Sequence, residues 1–370
     1  MPMSPAFETI DEAISAFTLE GVLREKAPYG NGHINDTFLL TCGTAKGEKK
    51  YILQRMNHSI FQDPAALMEN VASVTAYLQK AILARGGDPT RETLSVIKTR
   101  SGANYYEDSL HNFWRVFLFI DDTFCLEKVE NARDFHDCAV AFGGFQRQLA
   151  DYPADTLHET IPRFHHTPSR FQAFQKAVAE DPLGRARSVQ AEIDFALRRE
   201  ADTHVLTDLL EKGGLPLRVT HNDTKLNNIL FDTATRKALC IIDLDTVMPG
   251  LSLYDFGDSI RTGASTGAED ETDLSKVTLD LSLFEIFTEG FLKGSQGSLT
   301  DLEIELLPMG AKLMTFECGI RFLADFLVGD TYFRIHRETH NLDRARTQFK
   351  LVADMERKWK DMAEIVRRFS

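Results

Sequence analysis

The sequence predicts an α+β chain of two lobes, a small one of sheet plus helix followed by a larger helical one. Three observations lead there. A length of 370 residues is long for one hydrophobic core and comfortable for two. Near Asp121-Asp122 the pattern changes from short strand-like runs to long helical ones. Within the helical part, two acidic loops follow short apolar strands: one runs from Val219 to Phe231, the other closes on Ile241-Ile242-Asp243-Leu244-Asp245.

Asp11 to Phe17 reads as a short amphipathic helix. Phe38 to Cys42 and Lys50 to Met56 are strand-like, separated by a turn containing Gly and Lys. Asp63-Pro64 supplies an N-cap and a first-turn proline for a helix bearing Leu67, Val71, Val74, Leu78 and Ile82. Gly86-Gly87 stops it. Leu94 to Lys98, Ala103 to Tyr106 and Phe113 to Ile120 read as further strands. Beyond Asp122, Phe135, Cys138, Phe142, Phe145 and Leu149 line one face of a helix, and Ala191 to Leu210 forms a charged second one closed by Gly213-Gly214. Strands at Leu217 to Thr220 and Ala238 to Ile242 frame the acidic loops. Helices at Ser282 to Gly290, Leu302 to Phe326 and Leu342 to Phe369 complete the chain. The lobes therefore divide at 120/121.

Composition excludes several classes. Apolar residues at 43% and charged ones at 26% are ordinary for a globular protein, and no apolar run is long enough to span a bilayer. Met1-Pro2-Met3-Ser4-Pro5 lacks the marks of a secretory signal, so a cytoplasmic location is expected. The glycosylation triplets at Asn35 and Asn222 then carry no weight. Five widely spaced cysteines suggest neither zinc nor a disulfide framework. A formal charge of −13 argues against nucleic-acid and anionic-membrane partners, and no obligate protein partner is evident.

The chemistry resides in the acidic loops. Asp223 inside a polar loop, Asn228 five positions later and Asp243 at a strand end are the parts needed to move a phosphoryl group. The first carboxylate takes or orients a hydroxyl proton. An amide oxygen and a carboxylate beside phosphate oxygens suit Mg²⁺, with Asp245 a second candidate metal ligand. Lys225 is a candidate to neutralise charge on the transferring group, and His221 is read as bracing the loop. Upstream, Gly30-Asn31-Gly32 allows a hairpin backbone to approach phosphates. Asp255-Phe256-Gly257 spells a kinase magnesium motif, yet it follows Pro249-Gly250 and opens a helical segment. Asp255 is therefore expected to cap backbone amides and support the loop, not to hold metal.

Gly30-Asn31-Gly32-His33-Ile34-Asn35-Asp36-Thr37, Tyr51-Ile52-Leu53-Gln54-Arg55, His221 to Asn228 and Ile242 to Gly250 together resemble the N-acetylhexosamine 1-kinases. These belong to the aminoglycoside-phosphotransferase-like branch of the protein-kinase-like superfamily. The likeness runs from about residue 20 to the C-terminal helices. It implies a nucleotide-binding lobe over 1–120, a hinge about 117–122 and a helical lobe over 121–370 that carries the catalytic loop and the sugar site. It also implies ATP as co-substrate in the cleft, with contacts from Gly30, Asn31, Gly32, Gln54 and Phe119. The implied reaction phosphorylates the C1 hydroxyl of N-acetylglucosamine or N-acetylgalactosamine, in amino-sugar salvage. Asp223 would be the base, Asn228 and Asp243 would hold Mg²⁺, and His33, Asp223, Arg321 and Tyr332 would meet the sugar.

One position departs from the wider kinase pattern. Gln54 stands where a strand lysine usually faces the phosphates, Arg55 should point to the opposite face, and Glu69 then lacks its usual ion-pair partner. Two alternatives share these residues: a kinase of the same superfamily acting on an aminoglycoside, choline or homoserine, and a non-catalytic nucleotide-binding pseudokinase.

Overall fold

A computed structural model describes residues 8–30 and 34–369. The chain divides into two compact units whose segments interleave. The first takes the chain through Phe124, then Asp155–Pro162 and Leu230–Met248. The second takes Cys125–Ala154, Arg163–Ile229 and Pro249–Ser370. The sequence reading, with one cut after residue 120, had assigned both returning segments to the second lobe.

The first unit opens with α1 (Ile10–Ala16), β1 (Val22–Pro28), β2 (Asp36–Thr44) and β3 (Gly47–Met56). It continues with α2 (Pro64–Ala84), α3 (Pro89–Glu92), β4 (Val96–Ile97), β5 (Tyr106–Glu107), β6 (Phe113–Leu118) and β7 (Thr123–Phe124). The main sheet runs β1-β2-β3-β6-β4, with β5 also on β6, and every pairing is antiparallel. Strand alternation sorts its faces. Phe38, Leu40, Tyr51, Leu53, Trp114 and Val116 bury on one side with Ile10 and Ala13 of α1. The other face carries Thr37, Gln54 and Arg115 in register across three strands. Asp63 caps α2 by accepting the Ala66 N–H at 3.0 Å. Gly86, at φ 79°, ends it so that the Gly87 N–H returns to the Ile82 carbonyl.

Beyond lie α4 (Ala132–Gln148), α5 (Thr167–Glu180), α6 (Gln190–Leu197), α7 (Val205–Glu211), β8 (Arg218–Thr220), β9 (Ile229–Asp232), β10 (Ala238–Ile241) and β11 (Met248–Gly250). Then come α8 (Ser252–Gly263), α9 (Leu281–Ser295), α10 (Asp301–Glu305), α11 (Leu307–Val328), α12 (His340–Arg357) and α13 (Trp359–Phe369). Three expected helices are interrupted. A 3₁₀ turn, Glu200–His204, splits 191–210. Pro308 cannot continue a helix from residue 302, so α11 restarts there with the proline in its first turn. The last helix breaks at Lys358. The sequence reading missed α5, whose Phe171 and Phe174 enter a core with Phe316, Ile320 and Leu323 of α11 and Phe349 of α12.

α8 lies directly on α11. A Cβ on Gly257 would collide with the Gly310 carbonyl, so two glycines let the backbones touch. The glycine of Asp255-Phe256-Gly257 thus serves helix packing. Among the described residues, no helix is long and apolar enough to cross a membrane.

Candidate active site

The second unit builds the loop that follows β8. Asp255, fully buried in the first turn of α8, accepts the backbone N–H of His221 at 3.0 Å and of Asn222 at 2.8 Å. Gln146 donates to the same carboxylate at 2.5 Å. One helical turn on, Asp258 accepts the Thr224 N–H at 3.0 Å. Asp255 therefore does the capping and supporting work expected of it. Asn222 sits at φ 65°, a left-handed conformation that asparagine tolerates. His221 is buried edge-on to Phe142 and Phe145 and receives the Asp223 N–H on Nδ1 at 3.3 Å. This is a bracing position.

The loop presents Asp223 between two partners. Lys225 Nζ lies 2.7 Å from Oδ1, and the Asn228 side-chain amide donates to Oδ2 at 3.1 Å and to the Asp223 carbonyl at 2.8 Å. The Asp223 carboxylate holds the Lys225 ammonium above its ordinary range. Asp258 stays below the usual carboxylate range, because Arg261 and Lys225 outweigh the burial that pushes it up. Burial raises Asp255 against the pull of its donors.

Behind the loop, His165 bonds the Asn222 carbonyl at 3.2 Å through Nε2 and Glu317 at 2.8 Å through Nδ1. One turn along α11 from Glu317, Arg321 lies 5.4 Å from the Phe164 ring centroid, 5.8 Å from Tyr332 and 5.5 Å from Phe333. Tyr332 is 59% exposed. Its turn is fixed by Asp325, which accepts the N–H groups of Thr331, Tyr332 and Phe333. Burial and the neighbouring Arg321 both lower Arg170, whose Nε donates to the Phe164 carbonyl.

The first unit carries the other expected residues. Asp243 follows β10, exposed and left-handed at φ 59°, an unusual conformation for a non-glycine residue. Asp245 is buried. Its Oδ1 meets the Arg115 guanidinium and its Oδ2 accepts the Asn35 amide at 2.8 Å. Gln54 donates to Thr37 at 3.1 Å and accepts from Arg115 at 2.9 Å. Arg55 turns to Asp36 and Asn112, and Glu69 pairs with His158 at 2.7 Å. Phe119 is edge-on to Tyr29 at 5.7 Å, with Lys50 over its ring. Gly30 is left-handed at φ 76°. Asn31, Gly32 and His33 lie outside the described residues.

Asp223, Lys225 and Asn228 are thus brought together in one unit, and Gln54 with Asp245, through Arg115, in the other. The sequence reading passed over Arg115, Asn35, His165, Glu317 and Asp258. Arg115 had a signal: a lone charge in Phe113-Trp114-Arg115-Val116-Phe117-Leu118 demands a buried partner.

Asn228 of the second unit spends its N–H₂ on Asp223 and keeps an amide oxygen, and Asp243 of the first unit is an exposed carboxylate; each is a kind of oxygen that Mg²⁺ takes. No cluster of three or more His, Cys, Asp or Glu that could hold a metal occurs among the described residues. Mg²⁺ needs none, being held typically by one or two protein oxygens plus phosphates.

Residues 27–279 match the Phosphotransferase enzyme family, and this chain belongs to it. The fold is similar to that of several solved kinases. An aminoglycoside phosphotransferase from Alicyclobacillus acidocaldarius is 13% identical with a TM-score of 0.61, covering 100% of this chain and 96% of that one. A microcompartment-associated aminopropanol kinase is 14% identical at 0.56, covering 96% and 98%. A choline kinase from Cryptosporidium parvum is 14% identical at 0.55, covering 91% and 90%.

Proposed function

We propose that this protein transfers the γ-phosphoryl group of ATP to the C1 hydroxyl of an N-acetylhexosamine, giving the sugar 1-phosphate and ADP. Asp223 accepts the hydroxyl proton as the C1 oxygen forms its bond to phosphorus. The bond from phosphorus to the bridging oxygen breaks, and ADP leaves. An anomeric hydroxyl is more acidic than an ordinary alcohol, so one positioned carboxylate suffices as base. Lys225, held at Asp223, places positive charge where the transferring group develops negative charge. Asn228 and Asp243 are the residues that would hold Mg²⁺, which when bound neutralises phosphate charge.

The observation that carries phosphoryl transfer is the Asp223–Lys225–Asn228 arrangement. The observation favouring a neutral acceptor is the company of Arg321. A guanidinium among Phe164, Tyr332 and Phe333, with Arg170 close by, would repel choline, an aminoalcohol or an aminoglycoside. The same groups offer hydrogen-bond donors and aromatic faces to hydroxyls and an acetamide. Arg321 and Tyr332 are accordingly proposed for the sugar; the family resemblance of the sequence adds His33 to it and gives Gly30, Asn31, Gly32, Gln54 and Phe119 to the nucleotide.

The test is ADP release over a panel of N-acetylglucosamine, N-acetylgalactosamine, choline, aminopropanol and kanamycin, with phosphorus NMR of the product. A sugar 1-phosphate is expected. Turnover restricted to the cationic acceptors overturns the sugar assignment and leaves another alcohol kinase of this family.

A further inference from the structure

Asp245 was a candidate metal ligand, yet both its oxygens are taken by protein. Only 3% exposed, it engages Arg115 through Oδ1 and Asn35 through Oδ2. Arg115, 1% exposed, reaches from Asp245 to Gln54, the residue at the usual lysine position. Asn35 stands just before β2, beyond the glycine loop, and its amide oxygen accepts the Asn57 N–H at 3.0 Å. The main chain of the acidic segment is anchored as well. Thr160 donates to the Asp245 carbonyl at 3.1 Å, and Asn70 of α2 donates to the Val247 carbonyl at 3.1 Å. Asp243 rides two residues ahead of this anchor.

Burying two charges is costly unless they pair and their remaining hydrogen-bonding capacity is met. Here one carboxylate ties together Asn35 ahead of β2, the middle strands of the sheet and the segment bearing Asp243. In other kinases a strand lysine and a helix glutamate link sheet and helix to the phosphates. In this chain Glu69 is committed to His158 instead. We propose that Arg115 and Asp245 are positioning residues for the nucleotide phosphates and their Mg²⁺, the buried pair holding Gln54 and Asp243 where that lysine–glutamate pair would act. Asp245 is then a tether and not a metal ligand. The claim rests on the phosphotransferase reading above, but not on which alcohol is the acceptor.

The test titrates a fluorescent ADP analogue into the full chain, with and without Mg²⁺, beside a thermal melt. Arg115→Met and Asp245→Asn should each lose Mg²⁺-dependent tightening by about tenfold or more, as outer supports of metal sites do. Binding without Mg²⁺, which loses only the Gln54 part of the support, should weaken less. Arg115→Lys keeps the charge but lacks the fork that serves Gln54 and Asp245 together, and should fall between. Asn35→Ala, which frees only one Asp245 oxygen, keeps the test alive if the first two fail to fold, and should show a partial loss. Folded variants with wild-type Mg²⁺ response overturn the proposal. So does a loss confined to Asp245→Asn with both Arg115 variants unaffected, which would mark Asp245 as a ligand. Absence of Mg²⁺–nucleotide binding in the wild type would sink the phosphotransferase reading itself.

Discussion

The loop bearing Asp223 and the segment bearing Asp243 are both short acidic stretches after a strand, yet they are held by opposite means. The Asp223 loop hangs by its backbone. Its N–H groups at His221, Asn222 and Thr224 run into two carboxylates of α8, Asp255 and Asp258, while the Asp223 side chain stays half-buried and Lys225 is exposed. The Asp243 segment hangs mainly by a side chain, Asp245, paired with a buried arginine from the sheet. Backbone anchoring suits the carboxylate proposed to meet one proton at one place. Side-chain anchoring at Asp245 accompanies an Asp243 that is exposed and left-handed, the residue proposed to share an ion with the nucleotide.

The sharpest break in this comparison is at Asp223. Asp223→Asn keeps the shape and the Asn228 contact but removes the proposed base, so turnover should fall by about 10²–10⁴-fold. Nucleotide affinity should hardly move. Near-normal turnover would remove Asp223 from the chemistry and leave its loop a scaffold only.

Asp255→Ala attacks the support beneath the same loop. It strands two backbone N–H groups and the Gln146 amide in a buried place, each at about 1–3 kcal/mol. We expect a drop of several kcal/mol in denaturant-measured stability, with turnover falling alongside. A metal ligand at this position would behave differently: stability would survive and Mg²⁺ dependence would shift.

How much of this was legible in the sequence follows from the same contrast. The spacing of Asp223, Asn228 and Asp243 is local chemistry, and the hydrophobic periodicities of α2 and α4 are local geometry, so both could be read from the chain. Asp255 could be read too, because a proline and glycine before it and a helical pattern after it signal a cap. The Arg115–Asp245 pair joins residues 130 positions apart, and nothing in either neighbourhood names the other. The interleaving that puts Leu230–Met248 in the first unit is likewise a tertiary fact. The breaks at Leu306 and Lys358 are hidden because apolar spacing continues across them, and only Pro308 marks the first in the sequence.

Arg321 sharpens the comparison from the acceptor side. Arg321→Ala removes the guanidinium from among Phe164, Tyr332 and Phe333 without touching either acidic segment. For a sugar acceptor its KM should rise roughly tenfold, about 1.4 kcal/mol, with the KM for ATP unchanged. Improved use of a cationic acceptor by this variant would show that repulsion by Arg321 sets the specificity. An unchanged KM for every acceptor would take Arg321 out of recognition.

The smallest effect on nucleotide binding is expected at Asp108, which serves as a control within the unit that carries Asp243. Buried at 4% exposure, it accepts from the Thr9 hydroxyl, the Trp114 ring N–H and the Asn112 backbone and side-chain amides. Burial pushes its carboxyl up, but these donors prevail and hold it at about 2, against an ordinary 3.8. A depressed folded-state value means that the stabilisation is fully present above the unfolded value. It is lost as pH falls from about 4 to about 2. Asp108→Asn should therefore cost about 2 kcal/mol at neutral pH and flatten the stability profile over that window, as read by tryptophan fluorescence during denaturation. Trp114 is the strand neighbour of Arg115, so the variant loosens β6 without breaking the buried ion pair. If Mg²⁺-dependent nucleotide binding stays intact here while it fails in Arg115→Met, the anchoring of Asp243 belongs to that pair and not to the general firmness of the sheet.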